Sequence, residues 1–260
     1  MPKFITVLRN IKYNLLTTPE SDWELNYDYK GTKGTTKVYL VNKFDNQKDS
    51  LIFHHGLTST SKYLHLNIIA NSEYYNKFNI FVIKASHHDT KQDILNNCIN
   101  SFLNFTLTIA SSVLATEEIV KFINKNSKRR SILVGFSLGG IVMSLHYFFF
   151  GSGNLYFPIL AYPDVGEISF SDKNKRIIYD FDRLKENVTF KNCYKIPNSL
   201  KERRDKKKIF PILGEYDDLI DFTKAKKFWA GYKVKIIDTA HYSMIAKRRE
   251  IREYILSKIL

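Results

Sequence analysis

The sequence predicts an α/β fold, a mostly parallel central sheet covered by helices on both faces, with a small cap or insertion. Three observations predict it. Short apolar runs alternate with longer segments of helical spacing along most of the chain. Several runs, such as Ile80-Phe81-Val82-Ile83 and Ser131-Ile132-Leu133-Val134, carry almost no polar positions, as strands buried on both faces do. Finally, a Gly-x-Ser-x-Gly pattern, Gly135-Phe136-Ser137-Leu138-Gly139, falls where one such strand gives way to a helix.

The 260 residues suit one α/β domain spanning residues 1–260. With 44% hydrophobic and 25% charged residues, the composition is that of an ordinary globular protein. In residues 1–20 an amphipathic segment opens the chain, because Phe4, Val7, Leu8, Ile11 and Leu15 recur at helical spacing. Arg9 and Lys12 interrupt those apolar positions, so no secretory leader is expected there. Such a helix docks on its own domain, and its basic face also suits peripheral contact with an anionic membrane surface.

Two strands with polar alternation follow, near Trp23 to Tyr29 and Thr36 to Val41. Asn46 and Asp49 mark a turn before the strand Leu51 to His54. The region from Tyr63 to Tyr75 reads as a helix, Ile80 to Ile83 as a strand, and Asp93 to Asn126 as a long helix broken near Thr106. Next come a strand from Ser131 to Val134, a helix from Leu138 to Phe150 and a strand from Phe157 to Ala161. Residues 164–207 show no clear period and read as the cap or insertion. The chain closes with a strand at Pro211 to Leu213, a helix at Phe222 to Phe228, a strand at Val234 to Ile237 and a helix from Ser243 to Ile259. Asn residues in the stretch from Ile94 to Thr116, and glycines in that from Ser131 to Pro163, argue against a membrane span.

The formal charge is +14, from 40 Lys and Arg against 26 Asp and Glu. The basic runs at Lys128 to Arg130, Lys201 to Lys208 and Lys247 to Arg249 are scattered, with no nucleic-acid motif beside them, so nucleic acid is not expected as a partner. Residues 164–207 mix cations with Ile177, Ile178, Phe181, Leu184, Val188 and Phe190. That composition, with Lys201, Arg203 and Arg204, suits a cover for an acyl substrate with an anionic part or a site that opens at an anionic surface; the alternative is a solvated cap with no preference. Cys98 and Cys193 lie far apart without metal-ligand spacing, which predicts free thiols in a reducing compartment, the cytoplasm.

A serine between glycines at a strand-to-helix turn is either a structural turn residue or a nucleophile held up for attack. A nucleophilic serine needs a base, and the base needs an orienting acid. Two histidines follow Ser137: His146 inside a helix, and His241 after a strand. The strand ending at Leu213 leads into Gly214-Glu215-Tyr216-Asp217-Asp218, so Asp217 and Asp218 compete for the acid, as does Asp164 after an earlier strand. His55-Gly56-Leu57 follows another apolar strand. His54, His55, His87 and His88 end two strands that can be neighbours. With Asp89 they form a candidate metal cluster, though without a recognised ligand spacing.

These motifs resemble the α/β-hydrolase superfamily, of the serine esterase and lipase-like kind, from about Thr36 to the C-terminus. The resemblance rests on His55-Gly56, on the Gly135 to Gly140 stretch, on Gly214-x-x-Asp217 and on Ala240-His241. It implies an α/β-hydrolase fold with Ser137 as nucleophile, His241 as base and Asp217 as acid. Leu57 and Leu138 would supply the oxyanion N–H groups, with His55, Gly56, Gly135 and Gly139 as supporting motif residues. It implies no cofactor and no metal. The implied activity is cleavage of a small-molecule carboxylic ester or thioester through an acyl-enzyme. An acyltransferase or thioesterase with the same triad, or a noncatalytic binding protein on this fold, are the rival readings. One departure from many relatives is Ser86-His87-His88-Asp89, where a short glycine-containing turn is usual.

Overall fold

The computed structural model of the chain describes residues 3–17, 22–61, 63–169 and 192–260. Its strands are β1 (Lys12–Thr17), β2 (Trp23–Tyr29), β3 (Thr32–Leu40), β4 (Asp49–His54), β5 (Phe78–Lys84), β6 (Ser131–Phe136), β7 (Leu155–Ile159), β8 (Ile212–Gly214) and β9 (Lys235–Ile237). They form one sheet in the order β1-β2-β3-β5-β4-β6-β7-β8-β9. The first three strands and the β3–β5 pair are antiparallel; every pair from β5 to β9 is parallel.

Local chemistry accounts for both halves. β2 buries every second residue, Trp23, Leu25, Tyr27 and Tyr29, and so covers one face only. It returns into β3 through a two-residue loop in which Lys30 and Gly31 both have positive φ, 53° and 86°, the backbone twist that tight hairpins favour. The parallel strands β4 to β8 are buried on both sides, and their residues divide by parity. Ile52, Phe81, Ile83 and Leu133 pack with the helices Phe4–Asn10, Phe102–Asn126 and Leu138–Phe149. Leu51, Phe53, Ile80, Val82, Ile132 and Val134 pack with Leu66–Ile69, Ser72–Lys77 and Arg248–Ile259 on the opposite face. The sheet therefore separates two cores, and the parallel strands all end at one edge of it.

The structure differs from the sequence reading in four places. The N-terminal helix stops at Asn10, and Leu15 lies in β1, an edge strand exposed along most of its length. The helix expected from Tyr63 to Tyr75 is two short ones, divided where the Asn71 side chain caps the second by accepting from the Tyr74 N–H. The long helix breaks at 99–101 rather than near Thr106, because Ser101 caps a fresh start at Phe102. The closing helix begins as a 3₁₀ segment, Tyr242–Lys247, before Arg248–Ile259. Of residues 164–207, the structure shows the helices Val165–Ser169 and Asn198–Arg203. Ile177, Ile178, Phe181, Leu184, Val188 and Phe190 lie outside the described residues.

Arg204, one of the cations expected in that cover, is engaged with the main body of the fold. Its Nε donates to the Phe148 carbonyl oxygen at 2.9 Å, at the C-terminal end of the helix Leu138–Phe149. That end is remote from Ser137, which begins the same helix, and a cation there complements the helix dipole. Lys201 sits with its Nζ 4.3 Å from the centre of the Phe228 ring. Among the described residues, no single helix is long and apolar enough to cross a membrane.

Candidate active site

Parallel strands bring their following loops to one edge, and that edge collects the residues singled out in the sequence. β4 runs into His55-Gly56-Leu57, β6 into Ser137, β8 into Asp217 and β9 into His241. Ser137 has φ 53° and ψ −110°, a backbone state that a side chain disfavours. Its N–H donates to the Ile159 carbonyl at 2.9 Å. The turn leaves no room on either side: a Cβ on Gly135 would strike the backbone of Gly139, and one on Gly139 would strike the His54 carbonyl. Only glycine fits these two positions, and the serine stands proud at the start of the helix Leu138–Phe149.

The structure brings Ser137, His241 and Asp217 together. His241 Nε2 lies 3.0 Å from Ser137 Oγ, and His241 Nδ1 lies 2.9 and 3.0 Å from the two Asp217 carboxylate oxygens. The Asp217 and His241 side chains are 2% and 4% exposed, so their contact is shielded from water. Asp217 Oδ1 also accepts the backbone N–H groups of Leu219 and Ile220, at 2.9 and 2.8 Å, which fixes the carboxylate toward the imidazole. The rival acids are occupied otherwise. Asp218 accepts the backbone N–H of His241 at 3.4 Å, and Asp164 accepts the Glu167 N–H at 3.0 Å, capping its own short helix.

Leu138 is the first residue of its helix, so its N–H has no partner within the helix and points out of the N-terminal end. The facing loop is tied to that helix, because the Gly139 N–H donates to the His55 carbonyl at 3.0 Å. His55 itself is fully buried. Its Nδ1–H donates to the Gly56 carbonyl at 2.7 Å, and its Nε2 accepts the Ala85 N–H at 3.1 Å. That pattern requires a neutral ring, and burial, with the neighbouring His54 and His88, holds its pKa well below the usual histidine range. The bond between Gly56 and Leu57 is trans, like the others among the described residues, so the C=O of Gly56 and the N–H of Leu57, which share one peptide plane, point opposite ways. Holding the Gly56 oxygen on His55 therefore turns the Leu57 N–H away from His55.

The candidate metal cluster does not assemble. His54 and His88 direct Nδ1 at the carbonyl oxygens of His55 and Ser86, both at 2.8 Å. His87 faces Asp93 at 3.6 Å, while Asp89 pairs with Lys84 and Lys37. Among the described residues, no group of three or more His, Cys, Asp or Glu side chains is arranged to hold a metal ion.

One residue at the site carried no signal in the sequence. His65 falls inside the segment read as a helix, where no motif marks it, and it stands at the N-cap of the short helix Leu66–Ile69, nine residues from the glycine it meets. Its Nδ1 accepts the Gly56 N–H at 3.0 Å, and its ring stacks on Phe136 with centroids 5.0 Å apart. Phe136 in turn presents an edge-on contact to His241 at 6.1 Å.

No protein-family model and no curated protein matches the chain. Solved structures do. Acetyl xylan esterase 1 from Thermoanaerobacterium superposes with a TM-score of 0.61 at 14% identity, covering 98% of this chain and 92% of that one. Est1E from Butyrivibrio proteoclasticus gives 0.55 at 16% identity, over 91% and 98%. A structure from a study of carboxylesterases of Nitrososphaera gargenis gives 0.54 at 14% identity, over 95% and 97%. The fold is the α/β-hydrolase fold, as the sequence motifs implied.

Proposed function

We propose that the protein is a serine hydrolase that cleaves a carboxylic ester or thioester through an acyl-enzyme, and that residues 1–260 form one such domain. The observation that carries this reading is the unbroken chain from Ser137 Oγ through the His241 imidazole to the Asp217 carboxylate. The esterase names of the structural neighbours support the same substrate class. Two free, buried cysteines fit a reducing compartment such as the cytoplasm.

In this mechanism Ser137 Oγ attacks the acyl carbonyl carbon while His241 Nε2 takes the hydroxyl proton. Asp217 keeps the imidazole in the Nδ1–H tautomer and stabilises its cation. The carbonyl oxygen becomes an oxyanion, held by the N–H groups of Leu57 and Leu138. Its collapse expels the alcohol or thiol, which leaves with the proton from His241. Water, deprotonated by the same imidazole, then attacks the acyl-enzyme and frees the acid and Ser137.

The test is hydrolysis of p-nitrophenyl acetate by the wild type and by Ser137→Ala. Turnover by the wild type that the folded Ser137→Ala variant lacks supports the reading. Equal turnover by the two overturns it.

A further inference from the structure

The loop that would bear the Leu57 N–H is short and contains Gly56, whose backbone can swivel at little cost. A hydrogen-bond donor preorganised for a developing oxyanion cannot swivel, because reorientation during the reaction would consume the stabilisation it supplies. The structure restrains Gly56 from both sides. Its carbonyl is held by His55 Nδ1–H at 2.7 Å and also accepts the Ser59 N–H at 3.2 Å. Its N–H is held by His65 Nδ1 at 3.0 Å. The first contact fixes the peptide plane between Gly56 and Leu57; the second fixes the plane between His55 and Gly56. Together they leave Gly56 no free torsion.

We propose that His65 is a positioning residue for the oxyanion donor: its unprotonated Nδ1 anchors the Gly56 N–H and so locks the loop that presents Leu57. This rests on the hydrolase reading above. The packing of His65 fits the role. It is 7% exposed, a Cβ on Gly56 would lie 3.1 Å from its Cε1, and its ring lies on Phe136, the residue before the nucleophile. The oxyanion loop and the serine turn are thus braced against one another through a single imidazole. Burial and the nearby His241 push the His65 pKa down to about 4, which keeps Nδ1 free to accept at neutral pH.

Three variants separate anchoring from bulk packing. His65→Asn places an amide oxygen near the position of Nδ1. His65→Gln carries its amide one carbon farther out, and His65→Phe keeps the stack on Phe136 without an acceptor. The probes are p-nitrophenyl acetate for kcat and KM, and phenylboronic acid, which becomes a tetrahedral anion on the serine, for Ki. His65→Phe and His65→Gln are expected to lower kcat about 10- to 100-fold with little change in KM. Ki for the boronate rises by the same factor, and His65→Asn recovers most of both. A merely structural role would reduce the titratable active fraction and leave the Ki of the remaining sites unchanged; that result overturns the proposal, as does equal behaviour of Asn and Gln. A wild type that neither hydrolyses the ester nor binds the boronate overturns instead the hydrolase reading on which it rests.

Discussion

His55 Nδ1 lies 2.7 Å from the carbonyl oxygen of the next residue, Gly56, and its other ring nitrogen receives the Ala85 N–H from the end of β5. One buried imidazole thus sets the direction of a peptide plane beside the nucleophile and joins it to the sheet. His55→Leu keeps the volume and removes both bonds. It is expected to lower kcat about 100-fold, the scale for losing one oxyanion donor. Stability should fall by about 1–3 kcal/mol, because the buried Ala85 N–H and Gly56 carbonyl lose a partner. Steady-state kinetics and urea unfolding on the same preparation check both.

The acid is tested by two neighbouring carboxylates with different targets. Asp217 meets the imidazole, whereas Asp218 meets only the backbone N–H of His241. Asp217→Asn should lower kcat about 10⁴-fold by favouring the wrong tautomer. Asp218→Asn should stay within about tenfold of the wild type, since its amide oxygen can still accept that one long backbone contact. The reverse ranking would move the acid to Asp218.

Buried neutral histidines make stability depend on pH. Burial pushes His54 down to about 3, His65 to about 4 and His55 well below its usual range. His88 and His146 are also lowered by burial, His146 despite its bond to Glu117. In the unfolded chain these groups bind protons near pH 6.5, but in the folded one they do not until the pH is much lower. The unfolded state therefore binds more protons as the pH falls, and stability decreases. It is full above about pH 6.5 and is lost from there toward the folded pKa values. Each such proton contributes about 1.4 kcal/mol per pH unit. His54 and His65 should together remove a few kcal/mol, on the order of 3–4, between pH 7 and pH 5, and His55 acts in the same direction. Urea midpoints measured across that range should fall steeply, and flat midpoints would contradict the burial of these side chains.

The site was legible in the sequence wherever its geometry needs a particular residue type at a fixed offset. Gly135 and Gly139 flank Ser137 because a Cβ at either meets backbone, so the turn writes itself into the chain. Asp217 and His241 follow strand ends, and strand ends could be read from apolar runs. His65 could not be found this way, because its bond to Gly56 imposes no spacing that another loop lacks. β1 was missed for a different reason. As an edge strand exposed along most of its length, it buries too little to show alternation, and Leu15 continues the helical spacing of Phe4 to Ile11. The break before Phe102 depends on one cap, Ser101, in a run rich in Asn and Ser where several residues could serve.

The central claim, that Ser137 is a nucleophile activated by His241, is tested most directly by labelling with a fluorophosphonate and mapping the adduct by mass spectrometry. One adduct is expected, on Ser137. It should be absent from Ser137→Ala and form far more slowly in His241→Ala, which keeps the serine but removes its base. A folded wild type that takes no label, or takes it on another residue, would contradict the claim.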